Sequence, residues 1–211
     1  MTQNDQGLAA AVESTPAQIE ALYDAWVTDY ERDVLSWGYD APTVSAGRLA
    51  QLVVPASAHV LDAGCGTGLT GVALAAAGFT RLTGIDLSAD SLEHAERRDV
   101  YATTRQVDLT AELPFDDDEF GGLLCCGVLS YLPDVGSVLG EFVRVVEPGG
   151  SVVFTQRTDL WVGRDTQQAI DGLVAARRCT ADVSGPKPYL PKNPEFTDSL
   201  GIRYVALTVT A

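Results

Sequence analysis

Apolar and polar positions along the chain change period several times, and each change marks an element. From Thr15 onward, Ile19, Leu22, Tyr23, Trp26, Tyr30, Val34 and Trp37 recur at helical spacing, which predicts an amphipathic helix with an aromatic stripe. Thr15, Pro16 and Gln18 supply its N-cap, first-turn proline and capping-box partner. A second helix is predicted over about 42–53. The stretches 59–64, 81–86 and 102–108 and the apolar run 120–129 then read as strands separated by helix-length segments. The stretch 135–146 reads as a helix, the stop signal Pro148-Gly149-Gly150 follows, and 150–157 reads as a fifth strand. A helix over 166–178, a proline-rich loop and an alternating final strand over 202–211 complete the pattern.

Strands this apolar are buried on both faces, and their alternation with helices predicts an α/β, doubly wound, mostly parallel sheet of the Rossmann-like kind. In such a sheet the ligand lies beyond the carboxyl ends of the strands. A length of 211 residues suits one domain. Residues 1–14 carry no periodic signal and read as a frayed end, followed by the N-terminal helices to residue 55, a core over 56–160 and a closing helix and strands over 161–211.

The formal charge of −15 argues against nucleic acid or an anionic membrane as a partner, because both need clustered Lys and Arg, and the chain has only Lys187 and Lys192 as lysines. No apolar run reaches membrane-spanning length, and the first residues lack the basic end and apolar centre of a signal peptide, so a cytoplasmic protein is expected. Cys65, Cys125, Cys126 and Cys179 show no C-x-x-C pairing, and His59 and His94 are the only histidines. That inventory argues against a histidine triad and a multi-histidine metal site. The run Asp116-Asp117-Asp118-Glu119 is read as a solvated turn with no metal, since consecutive side chains point apart.

The candidate chemistry concentrates in the stretch 60–71, Val-Leu-Asp-Ala-Gly-Cys-Gly-Thr-Gly-Leu-Thr-Gly. Two fingerprints overlap there: Gly64-x-Gly66-x-Gly68, and Gly66-x-Gly68-x-x-Gly71, which fits dinucleotide-binding folds. Both bring backbone amides and a helix N-terminus to a ligand. Asp86, at the end of the second strand, suits ribose hydroxyls under either reading. Asp62 separates them, because a carboxylate at the end of a buried strand, two residues before the first glycine, is foreign to the dinucleotide pattern and demands a partner.

With Asp62 included, the residues resemble class I methyltransferases that use S-adenosylmethionine. Further segments match in order: Gly-Ile-Asp-Leu-Ser at 84–88, Val-Asp-Leu-Thr-Ala-Glu-Leu-Pro-Phe at 107–115, Gly-Val-Leu-Ser-Tyr-Leu at 127–132, and 139–154 leading into the fifth strand. The resemblance implies a seven-stranded sheet with an antiparallel last strand, and it makes the first helix a lid of the small-molecule type. It also implies that S-adenosyl-L-methionine is bound by Asp62, Gly64, Cys65, Gly66, Gly68, Asp86, Leu87, Asp108, Leu109 and Gly127. Asp86 would take the ribose hydroxyls and Asp108 the adenine amino group, and the product would be S-adenosyl-L-homocysteine. Gly121 departs from the family, which often carries an acidic residue there. The Asn/Asp-Pro-Pro-Tyr motif of nucleobase methylation is absent.

Substrate contacts are expected from elements around the strand ends: Tyr23, Trp37, Tyr39, Ser130, Arg157, Trp161 and Tyr189, with Tyr30 and Tyr131 as candidate catalytic hydroxyls. The expected activity is methyl transfer to O, N or C of a small molecule by a monomer or homodimer. A nicotinamide-dependent oxidoreductase and a non-catalytic S-adenosylmethionine-binding protein are the alternatives.

Overall fold

The computed structural model describes residues 18, 29, 31–55, 57–193 and 200–211. The frayed end, most of the first helix, Tyr23 and Tyr30 lie outside the described residues. Residues 31–36 are helical, and α1 follows at Ala41–Leu52 with Pro42 in its first turn, where a missing N–H costs nothing. The chain then runs through β1 (His59–Ala63), α2 (Leu69–Ala76), β2 (Arg81–Asp86), α3 (Ala89–Glu96), β3 (Thr103–Gln106) and β4 (Phe120–Cys125). A 3₁₀ turn at Leu129–Tyr131, α4 (Val135–Val145), β5 (Val146–Arg157), α5 (Thr158–Trp161), α6 (Thr166–Ala175), β6 (Cys179–Val183), β7 (Lys187–Pro188) and β8 (Gly201–Val209) complete it.

The main path of the sheet is β3-β2-β1-β4-β5-β8-β6, seven strands, with the two-residue β7 paired to β8 as an eighth. The pairs β1/β2, β1/β4, β2/β3 and β4/β5 are parallel, and β8 runs antiparallel to both β5 and β6. Strand order reverses at β1, so the crevice lies at the carboxyl ends of β1 and β4. Val60, Leu61, Leu82, Ile85, Leu123 and Leu124 are wholly buried, each contributing about 1.5–3 kcal/mol. On one face Val60, Leu82, Leu124 and Val153 pack with Leu49 of α1 and Leu74 of α2. On the other, Leu61, Ile85, Leu123 and Val152 pack with Leu139 and Phe142 of α4 and Ile170 of α6.

Several boundaries differ from expectation, among them the end of β4, which stops at Cys125 and gives way to the 3₁₀ turn at Leu129–Tyr131 instead of running to 129. β5 begins at Val146, before Pro148-Gly149-Gly150. Val146 pairs with Phe120, and the register then jumps to Ser151 opposite Gly122, so the proline sits in an irregularity that asks no N–H of it. The last helix stops at Ala175, and residues 179–183 form β6 at the sheet edge. Three of the five β6 residues are exposed, so the alternation that marks a half-buried strand is missing. Among the described residues no helix is long and apolar enough to cross a membrane.

Candidate active site

The turn after β1 is held by its backbone. Gly64, Gly66 and Gly68 have φ of +77°, +52° and +93°, values that other residues adopt only with strain. The amides of Gly64 and Cys65 both donate to the Ile85 carbonyl, at 2.8 and 2.9 Å, which fastens the turn to the end of β2. A Cβ on Gly64 would stand 2.3 Å from Val128 Cγ2, whereas one on Gly66 would meet nothing within 4 Å. The turn is therefore packed on one side and open on the other.

Asp86 stands at the open side. Its Oδ2 accepts the Gly66 amide at 2.8 Å and its Oδ1 the Ser88 amide at 3.0 Å, so the carboxylate is oriented by fixed backbone donors. Asp108 follows one strand over, beyond Val107, whose amide donates to the Asp86 carbonyl at 2.9 Å. Asp108 Oδ1 accepts from the Thr110 amide and hydroxyl at 2.8 and 2.7 Å, and the adjacent Leu109 is buried. Leu87, half-buried, offers its carbonyl to Gln106 Nε2 at 2.8 Å.

Asp62 is fully buried. Its Oδ2 accepts from Thr70 Oγ1 at 2.6 Å and Tyr101 Oη at 2.7 Å, while its Oδ1 has no partner among the described residues. Burial pushes this carboxyl up to about 7 against the downward pull of the two hydroxyls, and the nearby Asp86 charge adds to the rise. A carboxylate oxygen left unpaired in the interior suits a cationic ligand group. The packed turn, the oriented Asp86 and this orphaned oxygen fit the aminoacyl and ribose portions of S-adenosylmethionine.

The carboxyl ends of β4 and β5 gather a second set. Gly127 has φ of +80° and donates its amide to Thr155 Oγ1 at 2.8 Å, and a Cβ there would stand 2.7 Å from Tyr39 Oη. Tyr39 lies 3.6 Å from Cys126 Sγ through its hydroxyl and edge-on to Tyr189 with ring centroids 5.8 Å apart. Ser130 Oγ donates to Gln156 Oε1 at 3.3 Å. Arg157 is buried, holds Asp159 through Nε at 3.2 Å and Nη2 at 2.7 Å, and feels the phenols of Tyr131 and Tyr189. Tyr39, Ser130, Tyr131, Arg157 and Tyr189 thus form one neighbourhood, and Trp37 packs against the same apolar cluster. Trp161 does not join it: it packs on the opposite cluster beneath the Arg203 guanidinium, 5.1 Å from its ring. His59 is at the far end of β1, 2.9 Å from Thr83 Oγ1. His94 is in the last turn of α3.

Gly71, the third glycine of the dinucleotide fingerprint, faces the Tyr101 ring. A Cβ there would stand 2.2 Å from the Tyr101 ring, so this glycine makes room for a side chain. Residues 61–154 match the family of methyltransferase domains. Human Methyltransferase-like protein 27 is 37% identical over 146 residues, 68% of this chain and 59% of that protein. The demethylmenaquinone methyltransferase of Clavibacter sepedonicus is 32% identical over 154 residues, 71% of this chain and 62% of its own length. The chain belongs to the class I S-adenosylmethionine-dependent methyltransferases. Among solved structures the cyclase SpnF has the same fold, with a TM-score of 0.69 at 18% identity, covering 94% of this chain and 98% of that one.

Within this chain, three residues escaped the sequence reading. Tyr101 and Thr70 are the partners that the buried Asp62 required, and glycines in the middle of α2 and β2 were the signal for the Tyr101 ring. Arg98 joins the turn to the N-terminal region: its Nε donates to the Thr67 carbonyl at 3.3 Å, and its Nη2 pairs with Glu31. No motif announces that pair, because surface Arg and Glu are common and their meeting depends on how 31–36 docks.

Proposed function

We propose that this protein transfers the methyl group of S-adenosylmethionine to an oxygen, nitrogen or carbon atom of a small molecule, acting as a cytoplasmic monomer or homodimer without nucleic acid or membrane partners. The observation that carries the reading is Asp86, oriented by the Gly66 and Ser88 amides beside the open face of the glycine turn. A carboxylate with fixed orientation suits the two hydroxyls of a ribose. The chain spans only 59% and 62% of the curated relatives compared above, so the activity rests on this site and not on those proteins' names.

S-adenosylmethionine supplies a methyl group on a sulfonium, already activated for displacement. The protein's part is alignment and exclusion of water, which in well-oriented intramolecular reactions reaches effective molarities of about 10⁵–10⁸ M. Gly64, Gly66 and Gly68 bring backbone to the aminoacyl and ribose portion, Asp86 accepts from the ribose, and Asp108 accepts from the adenine amino group beside Leu109. The acceptor is held at the ends of β4 and β5 by Tyr39, Ser130, Tyr131, Arg157 and Tyr189, with Trp37 at its margin. Tyr131 and Tyr30 are the hydroxyls offered to the acceptor atom. Neither histidine supports a role as base, since His59 is at the opposite end of β1 and His94 is in α3.

Incubation with radiolabelled S-adenosylmethionine and a panel of quinols, phenols, amines and carboxylates tests the proposal. Label transferred to an organic acceptor, and lost in Asp86→Ala, is the expected result. Hydride exchange with NADH in place of label transfer would overturn it. The oxidoreductase reading is disfavoured by Asp62, a buried carboxylate foreign to the dinucleotide pattern. Tight cofactor binding with no transfer across the panel would favour a non-catalytic role.

A further inference from the structure

The ring of Tyr101 reaches Asp62 through a slot cut by two glycines. A Cβ on Gly71 would stand 2.2 Å from Tyr101 Cζ, and one on Gly84 would stand 3.0 Å from its Cε1. Helix α2 and strand β2 each forgo a side chain to admit one ring. Its hydroxyl then shares Asp62 Oδ2 with Thr70, at 2.7 and 2.6 Å. Oδ1 remains buried and unpartnered among the described residues. A carboxylate in that condition must take up a proton or meet a cation.

We propose that Tyr101 is a positioning residue for the cofactor: through its hydrogen bond it keeps Asp62 ionised, so that the cofactor's ammonium group, and not a proton, satisfies Oδ1. The inference rests on the reading of the glycine turn as an S-adenosylmethionine site. It adds a residue outside the glycine motif whose part is to set the pH range of binding. When the cofactor meets the protonated form, the proton on Asp62 leaves for solvent as the ion pair forms.

Among the described residues, the groups facing Asp62 are Thr70 from α2, Tyr101 from the segment before β3, Cys65 from the turn, Asp86 from the end of β2, Cys125 from β4 and Cys126 just after it. None is cationic. Burial raises the Tyr101 hydroxyl and the Cys65 and Cys125 thiols, and pushes the Cys126 thiol up to about 11. Asp62, raised by burial to about 7 while Thr70 and Tyr101 pull it down, is therefore the group among them placed to titrate near neutrality. Removing one hydroxyl donor moves it further up.

The test is calorimetric titration of S-adenosylhomocysteine into wild type and Tyr101→Phe from pH 5.5 to 8.5. Phenylalanine keeps the ring in its slot and removes only the donor. Wild-type affinity is expected to fall below a break near pH 7. In Tyr101→Phe the break moves up by about one pH unit, a shift typical of one lost hydrogen bond to a charge. The variant then binds about tenfold more weakly at pH 6 and about equally at pH 8.5. Thr70→Val removes the other donor and moves the break the same way, which keeps the test decisive if Tyr101→Phe fails to fold. A weakening that is constant across the pH range, or no weakening at all, overturns the role of Tyr101 while leaving the cofactor site intact. No binding of S-adenosylhomocysteine to wild type at any pH overturns the site reading itself, and this inference with it.

Discussion

The two halves of the crevice are built from different materials. At the ends of β1, β2 and β3 the working parts are backbone amides and carboxylates, fixed by bonds such as Gly66 to Asp86 at 2.8 Å and by glycines whose positive φ other residues adopt only with strain. At the ends of β4 and β5 they are hydroxyls and one guanidinium: Tyr39, Ser130, Tyr131, Tyr189 and Arg157, drawn from four separate stretches of chain. The first half suits a ligand that never changes, because backbone geometry tolerates little drift. The second suits a variable acceptor, since each side chain can be exchanged without disturbing the turn that holds the cofactor.

That contrast predicts where damage will appear. Asp86→Ala should weaken S-adenosylhomocysteine about 100-fold, the equivalent of one or two charge-assisted hydrogen bonds, and calorimetry reads it directly. An effect under about threefold would break the comparison at its cofactor side.

Asp62→Asn should act in opposite directions on stability and binding. The folded-state carboxyl lies near 7, above its unfolded value of 3.8, so ionisation opposes folding. The penalty is absent well below pH 4, grows as pH rises toward 7 and is constant above that. At pH 8 the variant should therefore gain about 2–4 kcal/mol of unliganded stability, seen as a rise in Tm, while losing the pH break in cofactor affinity.

Arg157→Gln should raise the acceptor KM about tenfold and leave the S-adenosylhomocysteine Kd within about twofold, as expected of a lost charged contact confined to one half. Steady-state kinetics alongside calorimetry separates the two constants. Glu31→Gln should be milder. It loosens the tie through Arg98 to the Thr67 carbonyl and should speed cofactor release about two- to fivefold, as a partly exposed ion pair allows. Stopped-flow dissociation measures it. The His59→Ala, His94→Ala double variant should keep turnover within about tenfold of wild type. A collapse by several orders of magnitude would mean that the reacting atoms lie elsewhere.

The same contrast governs what the sequence reveals. The cofactor half is written in short contiguous stretches, 60–68, 84–88 and 107–109, because one strand end and the turn after it must do the work together. β1, β2 and β4 were legible for a related reason: buried parallel strands carry short apolar cores such as Val60-Leu61 and Leu123-Leu124-Cys125. β6 was not, since three of its five residues face solvent. Tyr101 was hidden in a different way. It sits 39 residues from Asp62, and only the glycines at 71 and 84 record that a ring must pass. The acceptor half was legible as a set of residue types and not as a geometry. Arg157 was read as a substrate contact, and the structure gives it Asp159 and the neighbouring phenols of Tyr131 and Tyr189. Trp161, one step further along, is turned to the other face by Arg203.

The central claim is that the glycine turn and Asp86 hold S-adenosylmethionine. Calorimetric titration of the wild-type protein with S-adenosylhomocysteine and, separately, with NADH tests it most directly. The account predicts one site of micromolar affinity for S-adenosylhomocysteine, about −8 kcal/mol, and no measurable heat with NADH. Tight NADH binding with none to S-adenosylhomocysteine would contradict it.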